Sequence, residues 1–237
     1  MAGLFVTGTD TDVGKTHIAL GLMAALQQRG LCVAAMKPVS AGCELGGSEG
    51  DRSLRNDDAL QLSAQSSLSI PYQTLNPYAF EPAIAPHIAA QKVDVTMRLD
   101  VLQRACAEIE AQADVVVVEG AGGWLVPVNA RETLADLAVA LGFPVVLVVG
   151  VRLGCISHAL LSAESIRARG LTLAGWVANE ISTQAVCVEE NIAALSQRLQ
   201  APLLGRVPFD GQAGAERTAA SLNITPLLAS VSAGGSP

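Results

Sequence analysis

Leu4-Phe5-Val6-Thr7-Gly8-Thr9-Asp10-Thr11-Asp12-Val13-Gly14-Lys15-Thr16 is the stretch that decides how this chain is read. A short apolar run, a glycine-bracketed turn and a helical pattern opening at Thr16 read as buried strand, loop and helix. In that order, and ending in Gly-Lys-Thr, they form a phosphate-binding loop. Backbone N–H groups of the turn and of the helix's first turn converge on an anion. Lys15 adds a point charge for the outer phosphates, and the Thr16 hydroxyl suits a magnesium ion. A plain strand-to-helix turn would also use glycine; Gly14-Lys15-Thr16 at the junction argues against it. Five residues rather than the usual four separate Gly8 from Gly14, so the loop is about one residue longer than the common form.

The chain has 237 residues, half of them hydrophobic, with 22 glycines and only 3% aromatics. That length and an Ala/Val/Leu/Gly-rich make-up suit one α/β domain, its strands covered by helices on both faces. The domain is expected over residues 1–228, with 229–237 a disordered tail. A net charge of −7 argues against bulk attraction to nucleic acid or to an anionic membrane. Cys32, Cys43, Cys106, Cys155 and Cys187 are scattered and never spaced C-x-x-C. This favours a reduced, cytoplasmic setting over a disulfide framework or zinc site. No signal peptide is visible, and apolar runs such as 145–149 are too short to span a bilayer.

Beyond the loop, Ile18, Leu22, Ala25 and Leu26 recur at helical spacing up to a stop at Gly30. Residues 32–36 read as a second strand delivering Lys37-Pro38. Residues 42–53 read as a mobile loop, 56–63 as a short helix with Asp57 and Asp58 in its first turn, and 71–86 as an irregular proline-rich connection. Pro86 opens a short helix carrying His87. Further helices are expected at 99–109, 133–141, 155–169 and 188–199, and strands at 115–118, 145–149, 173–178 and 203–207.

This alternation implies a mostly parallel central sheet of about seven strands, flanked by helices on both faces, with right-handed crossovers. Ligands of such sheets bind beyond the carboxyl ends of the strands. The chemically suggestive residues cluster there: the loop, Lys37, Glu119 to Gly122, Arg152 to Ser157, Asn179, and Pro208-Phe209-Asp210.

Together these residues resemble the dethiobiotin synthetases, ATP-dependent ring-closing enzymes. The similarity runs through the first loop, Lys37-Pro38-Val39, Arg55-Asn56-Asp57-Asp58-Ala59 and Val118-Glu119-Gly120-Ala121-Gly122-Gly123-Trp124. It continues through Val149-Gly150-Val151-Arg152-Leu153-Gly154-Cys155-Ile156 and Leu173-Ala174-Gly175-Trp176-Val177-Ala178-Asn179. The resemblance implies closure of a cyclic urea from 7,8-diaminopelargonate, carbon dioxide (or bicarbonate) and ATP. A carbamate and a carbamic-phosphoric anhydride are the intermediates, and the protein's main tasks are positioning and charge neutralisation.

It further implies Lys15, Lys37 and Thr11 as catalytic positions. Nucleotide contacts are implied at Asp12, Val13, Gly14, Lys15, Thr16 and His17, at Asp58, Glu119, Gly120, Ala121 and Gly122, and at Asn179, Glu180, Pro208, Phe209 and Asp210. Mg²⁺ would be held by Thr16, Asp58 and Glu119. Read without the resemblance, Asp58 serves equally well as a helix N-terminal charge, and neighbouring Asp57 is a decoy. Glu119, ending a four-valine strand, is the stronger metal-facing acid. The Asn179 amide suits the adenine edge, with a turn-forming asparagine as the alternative.

Lys37, Ala41, Gly154, Cys155, Ile156 and Ser157 are the implied substrate positions. N–H groups after Gly154 could hold the substrate carboxylate in the site of a partner subunit, which makes a homodimer the expected state; an ordinary βα turn is the alternative. Ala41 stands where the family often has Ser, with Ser40 one residue earlier, and Ser157 stands where Asn is common. Two rival readings are a partition-type switch ATPase and a related amidating ligase. Residues 9–13 lack the extra loop lysine of the switch class, and Lys37-Pro38 follows the second strand; both favour the ligase.

Overall fold

Six apolar runs become adjacent strands of one parallel sheet in the computed structural model, which describes residues 2–47, 52–209 and 214–232. The strands are β1 (Ala2–Gly8), β2 (Val33–Met36), β3 (Val39–Ala41), β4 (Glu44–Gly46), β5 (Ser53–Arg55), β6 (Tyr78–Phe80), β7 (Val115–Glu119), β8 (Val145–Gly150), β9 (Leu173–Asn179) and β10 (Leu203–Val207). The helices are α1 (Lys15–Gln27), α2 (Asp57–Gln65), α3 (Tyr72–Leu75), α4 (Pro86–Gln91), α5 (Leu99–Glu110), α6 (Leu134–Leu141), α7 (Cys155–Ala168), α8 (Val188–Arg198), α9 (Ala215–Ala220) and α10 (Thr225–Ser232).

The central sheet has the order β10-β9-β8-β1-β7-β2. It holds six strands rather than about seven, because the remaining short strands pair only with each other. β3 lies parallel to β6, and β4 antiparallel to β5. Alternation along each strand splits the core into two layers. Leu4, Val6, Val115, Val117, Val146 and Val148 face α1, α9 and α10. Phe5, Val116, Val118, Val145, Leu147 and Val149 face the layer built from α4 to α8.

Register decides where the chemistry goes. Val6 pairs with Glu119 across β1 and β7, and Met36 with Val118 across β2 and β7. The P-loop, Glu119 and Lys37 therefore emerge side by side on one edge of the sheet. The outer edge of β2 is covered by side chains and by another turn: Ser67 Oγ accepts from Val33 N, Ser66 Oγ from Ala35 N, and Leu75 O from Lys37 N.

Three expectations are corrected. Residues 42–53 are not simply a loop, since β4 and the first residue of β5 lie within them; residues 48–51 are outside the described set. Residues 71–86 are not irregular throughout, because Pro71 precedes a single helical turn and β6 docks beside β3. α10 carries the chain past residue 228 to Ser232, so the last helix reaches into the stretch expected to be a tail. No helix among the described residues is long and apolar enough to cross a membrane.

α9 rests on α1 through a position without a side chain. A Cβ at Gly21 would sit 2.4 Å from Thr218 Cγ2 and 3.3 Å from the Thr218 backbone. Gly21→Val is expected to push α9 off and lower the unfolding free energy by about 1–3 kcal/mol, read by urea denaturation; an unchanged midpoint would contradict this packing.

Candidate active site

The extra loop residue is absorbed by backbone rather than by a bulge in the strand. Asp12 adopts φ 57° and Gly14 φ 84°, both left-handed, which only Gly does without strain. Gly14 could not be otherwise: a Cβ there would lie 2.2 Å from Asn179 Nδ2. That amide donates to Val13 O at 2.9 Å, so the end of β9 buttresses the loop from outside. Lys15 Nζ donates to Asp10 O across the loop at 2.9 Å, and the Asp10 carboxylate pairs with Arg152, in the loop after β8.

Next to the loop lies a cluster of charges, two of them almost cut off from water and the third, Asp58, partly exposed. Lys37 is 4% exposed and Glu119 fully buried. Lys37 Nζ lies 2.5 Å from Glu119 Oε1 and 2.9 Å from Asp58 Oδ2. Thr16 Oγ1 donates to the same Glu119 oxygen at 2.9 Å. Asp58 reaches this point because Asn56 caps α2, accepting from Ala59 N at 3.3 Å. Burial alone would lower the Lys37 pKa; the Glu119 and Asp58 carboxylates outweigh it and raise it. Burial would raise Asp58, and the Lys37 ammonium reverses that and lowers it. Lys15 lacks such compensation: desolvation, against an opposing pull from Glu119, brings it down to about 8.

These groups open onto a cleft of about 1180 Å³ lined by Thr11, Asp12, Gly14, Lys15, Thr16 and His17, together with Lys37, Ala41, Asp58, Glu119, Ala121 and Gly122. A smaller cavity of about 230 Å³ shares Asp12, Gly14 and His17 with it and adds Asn179, Glu180, Ile181, Pro208 and Phe209. A cleft of mixed polar and apolar lining, with a side chamber on the far flank of the P-loop, suits a triphosphate and its base. The Glu180 carboxylate is engaged with Arg206, at 2.5 Å, so it lines the chamber as half of an ion pair.

Other expected positions stand apart. Val13 and Gly120 are buried behind the loop surfaces. Gly154, Cys155, Ile156 and Ser157 start α7 and line neither cavity. Asp210 lies outside the described residues. The cleft also has walls that sequence reasoning missed: Ser40, Asn56, Gln61, the turn from Ala83 to Pro86, and Gly214-Ala215 at the start of α9. The prolines around residue 84 signalled only a break in regular structure, and no periodicity marks a six-residue helix such as α9.

The donors suit a hard divalent cation. Glu119 Oε2 is buried with no hydrogen-bond partner, an orphaned carboxylate oxygen beside a hydroxyl and a second carboxylate. No group of three or more His, Cys, Asp or Glu converges as a metal cage among the described residues.

A family model described as "AAA domain" matches residues 2–217. An ATP-dependent dethiobiotin synthetase BioD from Pseudomonas paraeruginosa (strain DSM 24068 / PA7) is 54% identical over 228 residues, covering 96% of this chain and 98% of the relative. The chain belongs to the ATP-dependent dethiobiotin synthetase family. The synthetase of Cellvibrio japonicus (strain Ueda107) is likewise 54% identical, over 224 residues, 94% of this chain and 96% of its own. Among solved structures, a ParA family ATPase from Chlorobium tepidum TLS superposes with a TM-score of 0.54 over 94% of this chain and 92% of that one, at 14% identity. That likeness concerns the scaffold alone, since function resides in sites grafted onto folds.

For a dethiobiotin synthetase the lowered Lys15 pKa has a measurable consequence. The protonated amine is the form that attracts phosphate, and the free protein loses that proton as pH rises through about 8. The ATP dissociation constant, by titration calorimetry, should change little between about pH 7 and 7.5 and rise about tenfold per unit above about pH 8.5. A constant that stays flat to about pH 10 would show that the amine does not titrate in this range.

Proposed function

We propose that this chain closes the ureido ring of dethiobiotin from 7,8-diaminopelargonate, carbon dioxide and ATP, releasing ADP and phosphate. The observation that supports this most is the meeting of Lys15 and Lys37 at one cleft. Lys15 opens α1 and Lys37 follows β2; they are 7% and 4% exposed, and the Lys37 charge is near enough to help lower the Lys15 pKa. Family membership makes the chain an ATP-dependent ligase of biotin biosynthesis, and the two ammonium groups suit what such a ligase must do.

One substrate amine adds to carbon dioxide, giving a carbamate and releasing a proton. The carbamate oxygen then attacks the γ-phosphorus of ATP, and ADP leaves. The second amine attacks the carbonyl carbon of the resulting anhydride; the C–N bond forms, the C–O bond to phosphate breaks, the nitrogen gives up a proton, and the ring closes. Each stage gathers negative charge, and the phosphoryl step places it on oxygens held by the loop N–H groups and Lys15. Lys37 would face the carbamate and the terminal phosphate from the other side. Thr11 at the loop tip and Ala41 on β3 line the same cleft, where the diamine would lie.

Mg²⁺ would be held by Thr16, Asp58 and Glu119, supplying charge neutralisation for the phosphates. The ion and the Lys37 ammonium want the same two carboxylates.

The substrate carboxylate is assigned to Gly154, Cys155, Ile156 and Ser157 of a second copy. Two observations support this. Gly154, at φ 93°, leaves the first turn of α7 without a side-chain cap, as an anion site requires. Leu153 is fully exposed and Leu161 62% exposed on the same segment, apolar surface that a second copy would cover.

Phosphate release with ATP, Mg²⁺, bicarbonate and the diamine, each omitted in turn, tests the reading. Release should depend on the diamine, and Lys37→Gln should slow turnover by about 100-fold or more with an unchanged circular dichroism spectrum. Release that ignores the diamine, or a Lys37→Gln protein of normal turnover, would refute it. For the dimer, an interface substitution such as Leu161→Glu that yields monomers should weaken the diamine KM by more than about tenfold while the ATP KM moves less than about twofold. A fully active monomer would end that assignment.

A further inference from the structure

Behind the cleft, and not lining it, a single buried amide joins the segments that carry Lys37, Asp58 and Ala41. Asn76 is 3% exposed at the C-terminal end of α3. Its Nδ2 donates to Lys37 O at 2.6 Å and to Tyr78 O at 3.4 Å. Its Oδ1 accepts from Ser40 Oγ at 2.8 Å and from Tyr72 Oη at 3.1 Å. The Tyr72 oxygen in turn accepts from Asn56 N at 2.8 Å, the residue that caps α2, and the Arg55 guanidinium lies 4.1 Å over the Tyr72 ring. Backbone bonds run in parallel: Lys37 N donates to Leu75 O, and Tyr78 N to Pro38 O.

An asparagine side chain offers two donors and two acceptors, and here each finds a partner. The partners lie on β2's exit, β3, β6, α3 and, through Tyr72, the start of α2. A buried amide with every bond made fixes its partners in one arrangement, because any shift strands a polar group without water.

We infer that Asn76 is a positioning residue. With Tyr72, it sets the distance between the Lys37 ammonium and the Asp58 carboxylate, and hence where Lys37 stands over the cleft. The inference rests on the proposed role of Lys37. It also explains the serine displaced by one residue: the Ser40 hydroxyl is committed to Asn76 and stands beside Cys43 Sγ at 3.2 Å, so it serves the scaffold and leaves Ala41 to face the substrate.

The test uses the full chain carrying Asn76→Asp, which keeps the acceptors and removes both donors to Lys37 O and Tyr78 O, and Tyr72→Phe, which removes one oxygen. Both are compared with Lys37→Gln and with the double variants. In each single variant kcat should fall about tenfold to a hundredfold, with the ATP KM within about twofold and the melting temperature within about 5 °C. Added to Lys37→Gln, each should cost less than about a further twofold, because the group it positions is already gone. If Asn76→Asp does not fold, Tyr72→Phe decides alone. Unchanged kcat in the single variants, an ATP KM that rises in step with the loss, or losses that multiply on Lys37→Gln would overturn the inference while leaving the function standing. Normal turnover by Lys37→Gln itself would instead overturn the function and this inference with it.

Discussion

A buried ammonium between two carboxylates is the constraint around which the rest of the site is arranged. Moving Lys37 and Glu119 out of water costs several kcal/mol for each ion unless the geometry compensates. At 2.5 and 2.9 Å the two contacts to Lys37 provide that compensation. They are possible only because β2 and β7 are neighbours with Met36 opposite Val118, and because α2 starts where Asn56 puts it. One Thr16 hydroxyl then ties the cluster to the helix that follows the P-loop. Sheet order, register and one helix cap thus settle where four functional groups meet.

The loop itself is held by two contacts from the β8–β9 side of the sheet. Asn179, at the end of β9, bonds its backbone, and the Asp10–Arg152 pair links it to the loop after β8. A loop with one residue more than the common form needs such support, since its added length brings conformational freedom. Asp12 in the left-handed region is the local cost of fitting that residue. Backbone strain of this kind persists where surrounding contacts over-determine it, and the site is where those contacts are dense.

Much of the scaffold could be read from the sequence because its signals are local. Val115 to Val118 and Val145 to Val149 are valine-rich runs with no polar residue, which mark strands buried on both faces. Gly30 and Gly142 stop helices by taking positive φ. Lys37 was legible as a residue at a strand's end; its two carboxylate partners became visible only through strand order. Glu180 lines the side chamber, and its ion pair with Arg206 is a tertiary contact that no local signal carries. The turn from Ala83 to Pro86 shows in the sequence only as a break between prolines, and the short α9 and Asn76 leave no readable mark. Their roles depend on packing between distant segments, and a residue such as Asn76 looks like any turn asparagine until its four partners are known.

That division explains how chains with this scaffold can differ so widely in chemistry. The parallel sheet and the P-loop are specified by apolar runs and glycines, which many sequences satisfy, and a superposable ATPase shares only 14% identity. To that scaffold this chain adds a second cation at the end of β2 and a buried polar network behind it. Such a network adds little net stability, because each hydrogen bond replaces one to water. Its contribution is a single arrangement: a lysine on four flexible carbons, held at its backbone by Asn76 and at its tip by Glu119 and Asp58, has few places left to go. Restricting it in advance lowers the entropy cost of bringing that charge to a reacting anion.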